Sequence, residues 1–252
     1  MFSVPDAYDD FMGRWSRLLA PEFAAFADVA PQQRVLDVGC GPGALTEVLG
    51  ARVGNDRVSA SDPSPQFVDA CRSRVPGADV REAPAESLPF ADASFDVTLA
   101  QLVFPFVGDA RAGVAEMKRV TTPSGIVATC TWDLENMEML RVFWDAAVSL
   151  DASAPAEGGR TRFGNRDDVE ALWRDSDLRD VTVAPIDVTR TYRDFDDYWT
   201  PFLAGIGPAG AYCTSLASDA RDALRDECRR RIGASNATIT LSARAWAVRG
   251  RA

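Results

Sequence analysis

The chain has 252 residues, 46% hydrophobic and 25% charged, with a formal net charge of −10. That is the balance of one sizeable soluble domain, and its acidity argues against nucleic acid as a partner because phosphate backbones would be repelled. Histidine is absent, which removes Ser-His-Asp and Cys-His nucleophiles and the commonest metal ligand.

Proton transfer must therefore fall to Asp, Glu, Tyr, Lys, Cys or water. No apolar run approaches the roughly 20 residues that span a bilayer, and the first residues lack the basic and apolar regions of a signal peptide. Cys40, Cys71, Cys130, Cys213 and Cys228 are scattered, with no CxxC pair, which argues against a disulfide framework or a zinc site. The expectation is a cytoplasmic protein with a small-molecule substrate, no membrane partner and no metal.

Residues 7–29, with Tyr8, Phe11, Trp15, Phe23 and Phe26, predict one or two helices ending before Pro31. Val35–Val38 predicts a short buried strand and 44–52 the helix after it. Val58–Ser61, closed by Asp62, is a second strand, and Pro65–Val75 a helix stopped by Pro76-Gly77. Asp79–Glu82 and Phe95–Gln101 read as the third and fourth strands. A helix follows over 109–120, then a turn at Thr122-Pro123-Ser124-Gly125 and a fifth strand at Ile126–Thr131. Strands alternating with helices predict a parallel sheet with helices on both faces over residues 30–135.

Beyond that point the pattern changes. A helix is expected over 136–150, a loop over 154–159, a helix at Asp167–Ser176 and a long strand at Val181–Tyr192. Helical stretches Asp194–Leu203 and Leu216–Ile232 flank a glycine-rich segment at 205–210, read as part of a mobile lid. A final strand is expected at Ala237–Val248. The arginines of 221–231 alternate with acids, as on a solvated helix face. The whole reads as one domain over 1–252: lid helices 1–30, a core 31–135, and substrate-side helices, lid and last strands 136–252.

The stretch Arg34-Val35-Leu36-Asp37-Val38-Gly39-Cys40-Gly41-Pro42-Gly43 carries the chemistry. Its glycines let the chain turn tightly and let a ligand approach bare backbone, while the next helix aims free N–H groups at that ligand. Gly39-x-Gly41-x-x-Ala44, with Asp62 near the expected position about 20 residues on, also satisfies the dinucleotide fingerprint. Asp37 speaks against it, since its charge would repel a pyrophosphate and hold a cation. A second glycine fingerprint is missing as well.

Downstream lie Ala85-Glu86-Ser87-Leu88-Pro89-Phe90, Ser94-Phe95-Asp96, and Glu116-Met117-Lys118-Arg119-Val120-Thr121-Thr122-Pro123-Ser124-Gly125. With the glycine turn and Asp62, they resemble the class I S-adenosylmethionine-dependent methyltransferases. The likeness is to the subgroup that includes the ubiquinone/menaquinone biosynthesis methyltransferases, and it covers about residues 34–132. It implies a doubly wound α/β fold: a mostly parallel, seven-stranded Rossmann-like sheet with the last strand antiparallel, N-terminal helices and a helical lid insertion. It further implies methyl transfer from S-adenosylmethionine, with S-adenosylhomocysteine as product, to a small apolar or aromatic metabolite. That reaction is an in-line displacement accelerated mainly by proximity, and no catalytic residue is assigned.

The resemblance also implies site roles. Gly39, Cys40 and Gly41 would pass under the methionine part of the cofactor beside Asp37. Asp62 would bind the ribose hydroxyls, although an acid there also suits a helix N-cap, and Pro63 would edge the adenine. Ala85 would offer its N–H to an adenine nitrogen, beside Glu86; where the family commonly has an Asp, this chain has Pro84. Gln101 would meet the methionine end or the substrate, and Arg14 the cofactor carboxylate. Glu116 and Arg119 read as a structural i,i+3 pair. Tyr8, Phe104, Trp199, Phe202 and Tyr212 are the candidate substrate residues. Where the family often has histidines, Pro105 and Phe106 suggest an apolar wall. Three rivals remain: a cofactor-bound cyclase or pericyclase, a degenerate binding module, and, least favoured, a nicotinamide oxidoreductase.

Overall fold

The computed structural model describes residues 9–155, 162–233 and 238–252; Tyr8, the 156–159 part of the expected loop and Ala237 lie outside them. In chain order the elements are α1 (Arg14–Phe26), preceded by a π-helical turn, β1 (Val35–Val38), α2 (Ala44–Val53), β2 (Val58–Asp62), α3 (Pro65–Arg74) and β3 (Asp79–Glu82). Then come β4 (Phe95–Gln101), α4 (Ala110–Val120), β5 (Thr121–Met137), α5 (Glu138–Leu150), α6 (Arg166–Arg174) and β6 (Arg179–Tyr192). The chain closes with α7 (Phe195–Trp199), α8 (Gly207–Ser215), α9 (Ser218–Ile232) and β7 (Ile239–Arg251).

The strands form one seven-stranded sheet in the order β3-β2-β1-β4-β5-β7-β6. β3, β2, β1, β4 and β5 pair in parallel, with Val38 opposite Ser61 and Asp37 opposite Leu99. β7 is antiparallel. Thr191 meets Thr240, Asp187 meets Arg244 and Arg179 meets Ala252, so one strand climbs as the other descends. The expected fold class therefore stands, and the chain reverses its direction across the sheet between β1 and β4, where open α/β sheets bind ligands.

Two segments differ from expectation. Thr122–Gly125 is not a turn before β5 but a bulge within it: Phe95 pairs with Thr121 and Val97 with Ile126. Ser124 there takes a left-handed φ of 68°, and a Cβ on Gly125 would meet the Asp96 carbonyl at 2.7 Å. The glycine-rich 205–210 segment is not an open loop, since α8 begins at Gly207. Gly210 packs so closely on Gly205 that a Cβ would lie 2.8 Å from its carbonyl carbon. Glycine serves close backbone approach here.

The chain divides into two compact units. The first comprises Ser16–Trp132, Arg162–Ile186 and Ala245–Ala252. Its core joins Leu36, Val38, Phe104, Val114, Met117, Val127 and Trp173, and Trp173 Nε1 donates to the Val127 carbonyl at 3.0 Å. Helix α4 is amphipathic; the Asp109 side chain caps it by accepting from Ala112 N–H, and Lys118 and Arg119 complement its dipole at the far end. The second unit comprises Met1–Trp15, Asp133–Thr161 and Asp187–Arg244. An aromatic cluster fills it, with Phe143 stacked on Phe202 at 4.6 Å and Tyr198 edge-on to Phe202 at 5.4 Å. No helix among the described residues is long and apolar enough to cross a membrane.

Candidate active site

The carboxyl ends of β2, β1 and β4 lie side by side in the first unit and bring Asp62, Asp37 and Gln101 to one edge of the sheet. From β1 the chain enters the glycine turn, where the N–H groups of Gly39 and Cys40 both donate to the Ser61 carbonyl, at 2.7 and 2.9 Å. Gly39, Gly41 and Gly43 all have positive φ, a conformation that penalises any Cβ. A Cβ on Gly39 would also lie 2.5 Å from Val103 Cγ2, whereas around Gly41 a Cβ would meet nothing within 4 Å among the described residues. The turn is thus closed on the side of Val103 and open at Gly41.

Asp62 holds this turn. One carboxylate oxygen accepts from Gly41 N–H at 2.9 Å, the other from Ser64 N–H at 2.9 Å. Asp62 is therefore not the N-cap of α3, a place that Ser64 takes without a side-chain cap; it accepts from the Ser64 N–H just ahead of the helix and keeps further lone pairs. Burial pushes its carboxyl above the usual range, against the pull of those two N–H groups. Pro63, beside it, is exposed.

Asp37 is 1% exposed and accepts from Thr46 Oγ1 at 2.7 Å. Burial, reinforced by the nearby Asp62 charge, pushes it up to about 7 in spite of that hydrogen bond. Sequence reasoning missed Thr46; its signal was a hydroxyl in the first turn of an otherwise apolar helix start, Ala44-Leu45-Thr46. Cys71 was missed as well: it sits under Gly43, its thiol reaches Thr46 Oγ1 at 3.4 Å, and it shares a small buried cluster with Cys40. That packing agrees with Cys40 as a small turn residue.

Gln101 uses its amide nitrogen on the Ser16 carbonyl at 3.1 Å, and its Oε1 is buried without a hydrogen-bond partner among the described residues. Ser61 Oγ, on β2, is in the same state. Beyond Gln101 the chain takes a left-handed φ of 65° at Leu102, which sends Val103 under Gly39. Buried polar atoms left without partners at this sheet edge call for an explanation, and a polar ligand is one.

Next to Asp62, the N–H of Ala83 donates to the Asp62 carbonyl at 3.1 Å and starts the segment that holds Ala85 and Glu86. Ala85 is buried. Glu86 Oε1 accepts from the N–H groups of Gly108 and Asp109, at 2.9 and 3.2 Å, and so braces the entry to α4.

A family model described as "Methyltransferase domain" matches residues 36–129, the segment that carries all of these groups. Over this segment the chain resembles the class I, S-adenosylmethionine-dependent methyltransferases. It is 32% identical over 139 residues to a malonyl-[acyl-carrier protein] O-methyltransferase of Erwinia billingiae, covering 55% of this chain and 53% of that one. A protein of the same description from Serratia marcescens is 31% identical over 134 residues, 52% of each. The chain thus spans about half the length of these curated relatives. Among solved structures, a provisionally assigned type II methyltransferase of Anaeromyxobacter dehalogenans superposes with a TM-score of 0.64 at 22% identity, over 93% of this chain and 95% of that one. An S-adenosylmethionine-dependent methyltransferase of Aquifex aeolicus gives 0.56 at 20% identity, over 73% and 93%. These two show the fold.

The first unit brings Asp37, Gly39, Cys40, Gly41, Asp62 and Gln101 to one sheet edge, with Ala85 and Glu86 on the segment tied to Asp62. Phe104 is not at a surface: it is fully buried, edge-on to Trp173 at 5.4 Å, and its position is accounted for by packing. Its neighbour Phe106 is 67% exposed. Arg14, Trp199, Phe202 and Tyr212 belong to the second unit. There Arg14 donates to Asp197 at 2.9 Å. Trp199 and Phe202 are buried in the aromatic cluster, and Tyr212 is half-exposed against Phe143 and Trp144.

Proposed function

We propose that the protein transfers a methyl group from S-adenosylmethionine to a small, apolar or aromatic acceptor. The observation that carries the cofactor reading is the coincidence, at one sheet edge and among the described residues, of a buried carboxyl without a cation (Asp37), an unpartnered acceptor (Gln101 Oε1) and a glycine turn open at Gly41. These groups fit a cofactor whose methionine end bears an ammonium: Asp37 and Gln101 Oε1 would accept from it, and Asp62 would accept from ribose hydroxyls. When bound, the cofactor supplies a methyl group activated by its sulfonium. The chain's own work is to hold that methyl in line with the acceptor atom and keep water out, which supplies much of the acceleration when the geometry is right. With no histidine in the chain, acceptors that need no strong base suit it best.

The exposed Phe106, on the turn that follows Gln101, supports an apolar acceptor. The relatives named for a malonyl group on acyl carrier protein point to a carboxyl on a carrier as the competing acceptor class. Methyl-labelled cofactor should be tested against aromatic metabolites and carrier-bound malonyl groups, with S-adenosylhomocysteine quantified beside each product. Matched amounts of both establish methyl transfer. Product without S-adenosylhomocysteine would show a cyclase-like reaction, and no binding of the cofactor at millimolar concentration would defeat the reading altogether.

A further inference from the structure

Resting on that reading, we propose that Arg119 and Glu116 are positioning residues for recognition of the cofactor's adenine. They act through the irregular segment 83–90, which carries Ala85. This segment has no strand or helix partners of its own for most of its backbone groups, and buried or half-buried backbone groups must find partners elsewhere. Helix α4 provides them. Arg119 Nη2 donates to the Leu88 carbonyl at 3.0 Å and Nη1 to the Phe90 carbonyl at 2.9 Å, while Glu116 Oε2 accepts from Leu88 N–H at 2.8 Å.

The guanidinium is used in full. Its Nε and Nη2 also donate to Glu116 at 2.7 and 2.8 Å, and Nη1 to Asp92 at 2.6 Å. All five N–H donors of an arginine are thereby satisfied. Lysine has three donors radiating from a point and cannot reproduce this fork. Glu116 is held below the usual carboxylate range, chiefly by Arg119, so the pair stays ionised through neutral pH. Glu86 fixes the other end of the segment on Gly108 and Asp109.

Accurate placement matters because a backbone N–H at Ala85 would read adenine by donating to a ring nitrogen that, in hypoxanthine, carries a proton itself. A donor facing a donor is rejected only when neither can shift. Loosening the segment should therefore blur the distinction between the two bases. General destabilisation behaves differently: it lowers the competent fraction and weakens both ligands by the same factor.

The test compares binding of S-adenosylhomocysteine and its inosine counterpart by calorimetry, in the full chain and in the variants Arg119→Lys and Glu116→Gln, with thermal unfolding measured alongside. The expected result is a ratio of the two affinities that shrinks at least about fivefold in both variants, a loss on the scale of one hydrogen bond. If Arg119→Lys does not fold, the isosteric Glu116→Gln carries the test alone. An unchanged ratio, whatever happens to either affinity or to the melting temperature, overturns the proposal. Wild-type protein that binds neither ligand would instead defeat the methyltransferase reading on which it rests.

Discussion

The hydroxyl of Thr46 donates to Asp37 Oδ2 at 2.7 Å beneath the glycine turn, and this is too little to keep the acid fully ionised at neutral pH in the free protein. Burial chiefly raises Asp37 to about 7, against an unfolded value of about 4. Between those values the folded state binds a proton that the unfolded state has released. Stability of the free protein should therefore fall as pH rises through that window and level off above about 7.

An ammonium beside Asp37 needs the ionised form, so binding S-adenosylhomocysteine at pH 6 should release close to one proton. Affinity should rise with pH, by up to about tenfold per unit, until about pH 7, then hold until the ligand's own amine loses its charge at more alkaline pH. Calorimetry in buffers of different ionisation enthalpy reads the proton directly. Asp37→Asn should bind more weakly and release none; a flat profile in the wild type would separate Asp37 from the ammonium.

Gly39 and Gly41 both have positive φ, but they should fail in different ways. Gly39→Ala drives a methyl into Val103 at 2.5 Å, and with the left-handed φ this should cost about 2–4 kcal/mol of folding stability. Adding Val103→Ala should recover part of that loss. Gly41→Ala meets no atom of the described residues, so only the cost of its φ, about 1 kcal/mol, should appear in urea unfolding. On the proposed function the space its Cβ enters is the ligand's, so its cofactor affinity should nevertheless drop by more than tenfold. Equal affinity for Gly41→Ala and wild type would place the ligand elsewhere.

The cofactor half of this fold was legible because its signals are local. Val35–Val38, the three glycines and Asp62 fix a strand, a turn and a strand end within a short span, and 3.6-residue spacing marks α4. What stayed hidden depends on distant partners. Thr122-Pro123-Ser124-Gly125 has turn chemistry, yet pairing with β4 on either side absorbs it as a bulge. Glycines at 205–210 read as a flexible loop until packing of Gly210 on Gly205 gave them a different reason. Phe104, Trp199 and Phe202 are as apolar as any substrate wall, and only tertiary contacts reveal them as core. Likewise, sequence spacing paired Glu116 with Arg119 but could not show the loop carbonyls that the arginine also holds.

Arg14 offers a direct contrast between a structural and a ligand-binding role. Although burial opposes it, hydrogen bonds from Arg193 N–H and Arg14 hold Asp197 down to about 2. With the depressed value in the folded state, this pairing stabilises the protein above the unfolded pKa of about 4 and is lost as pH falls through 2. The Asp197 side chain is only 8% exposed, so the effect should be on the order of 2 kcal/mol. Arg14→Met should accordingly lose about 1–2 kcal/mol in urea unfolding at pH 7 and progressively less toward pH 3, with cofactor affinity within about threefold of wild type. A large loss of affinity with unchanged stability would show instead that Arg14 serves the cofactor carboxylate.

Gln101 should show the opposite pattern. Its Oε1 is buried without a partner among the described residues while its amide nitrogen bonds the Ser16 carbonyl. Leaving a buried acceptor unsatisfied costs about 1–3 kcal/mol, comparable to what the bond to Ser16 returns. Gln101→Met keeps the volume, removes the orphaned oxygen and forfeits that one bond, so the free protein should change in stability by less than about 1 kcal/mol. The cofactor would lose the acceptor that waits for it, and its affinity should fall about tenfold, most of it in the binding enthalpy. Gln101→Glu tests the sign: a carboxylate at the same point should make the gain in affinity for a cationic methionine end between pH 5, where it is protonated, and pH 8 larger than the gain Asp37 gives the wild type. If both variants bind like wild type, the unpartnered oxygen is a packing compromise at the end of β4 and not part of the site.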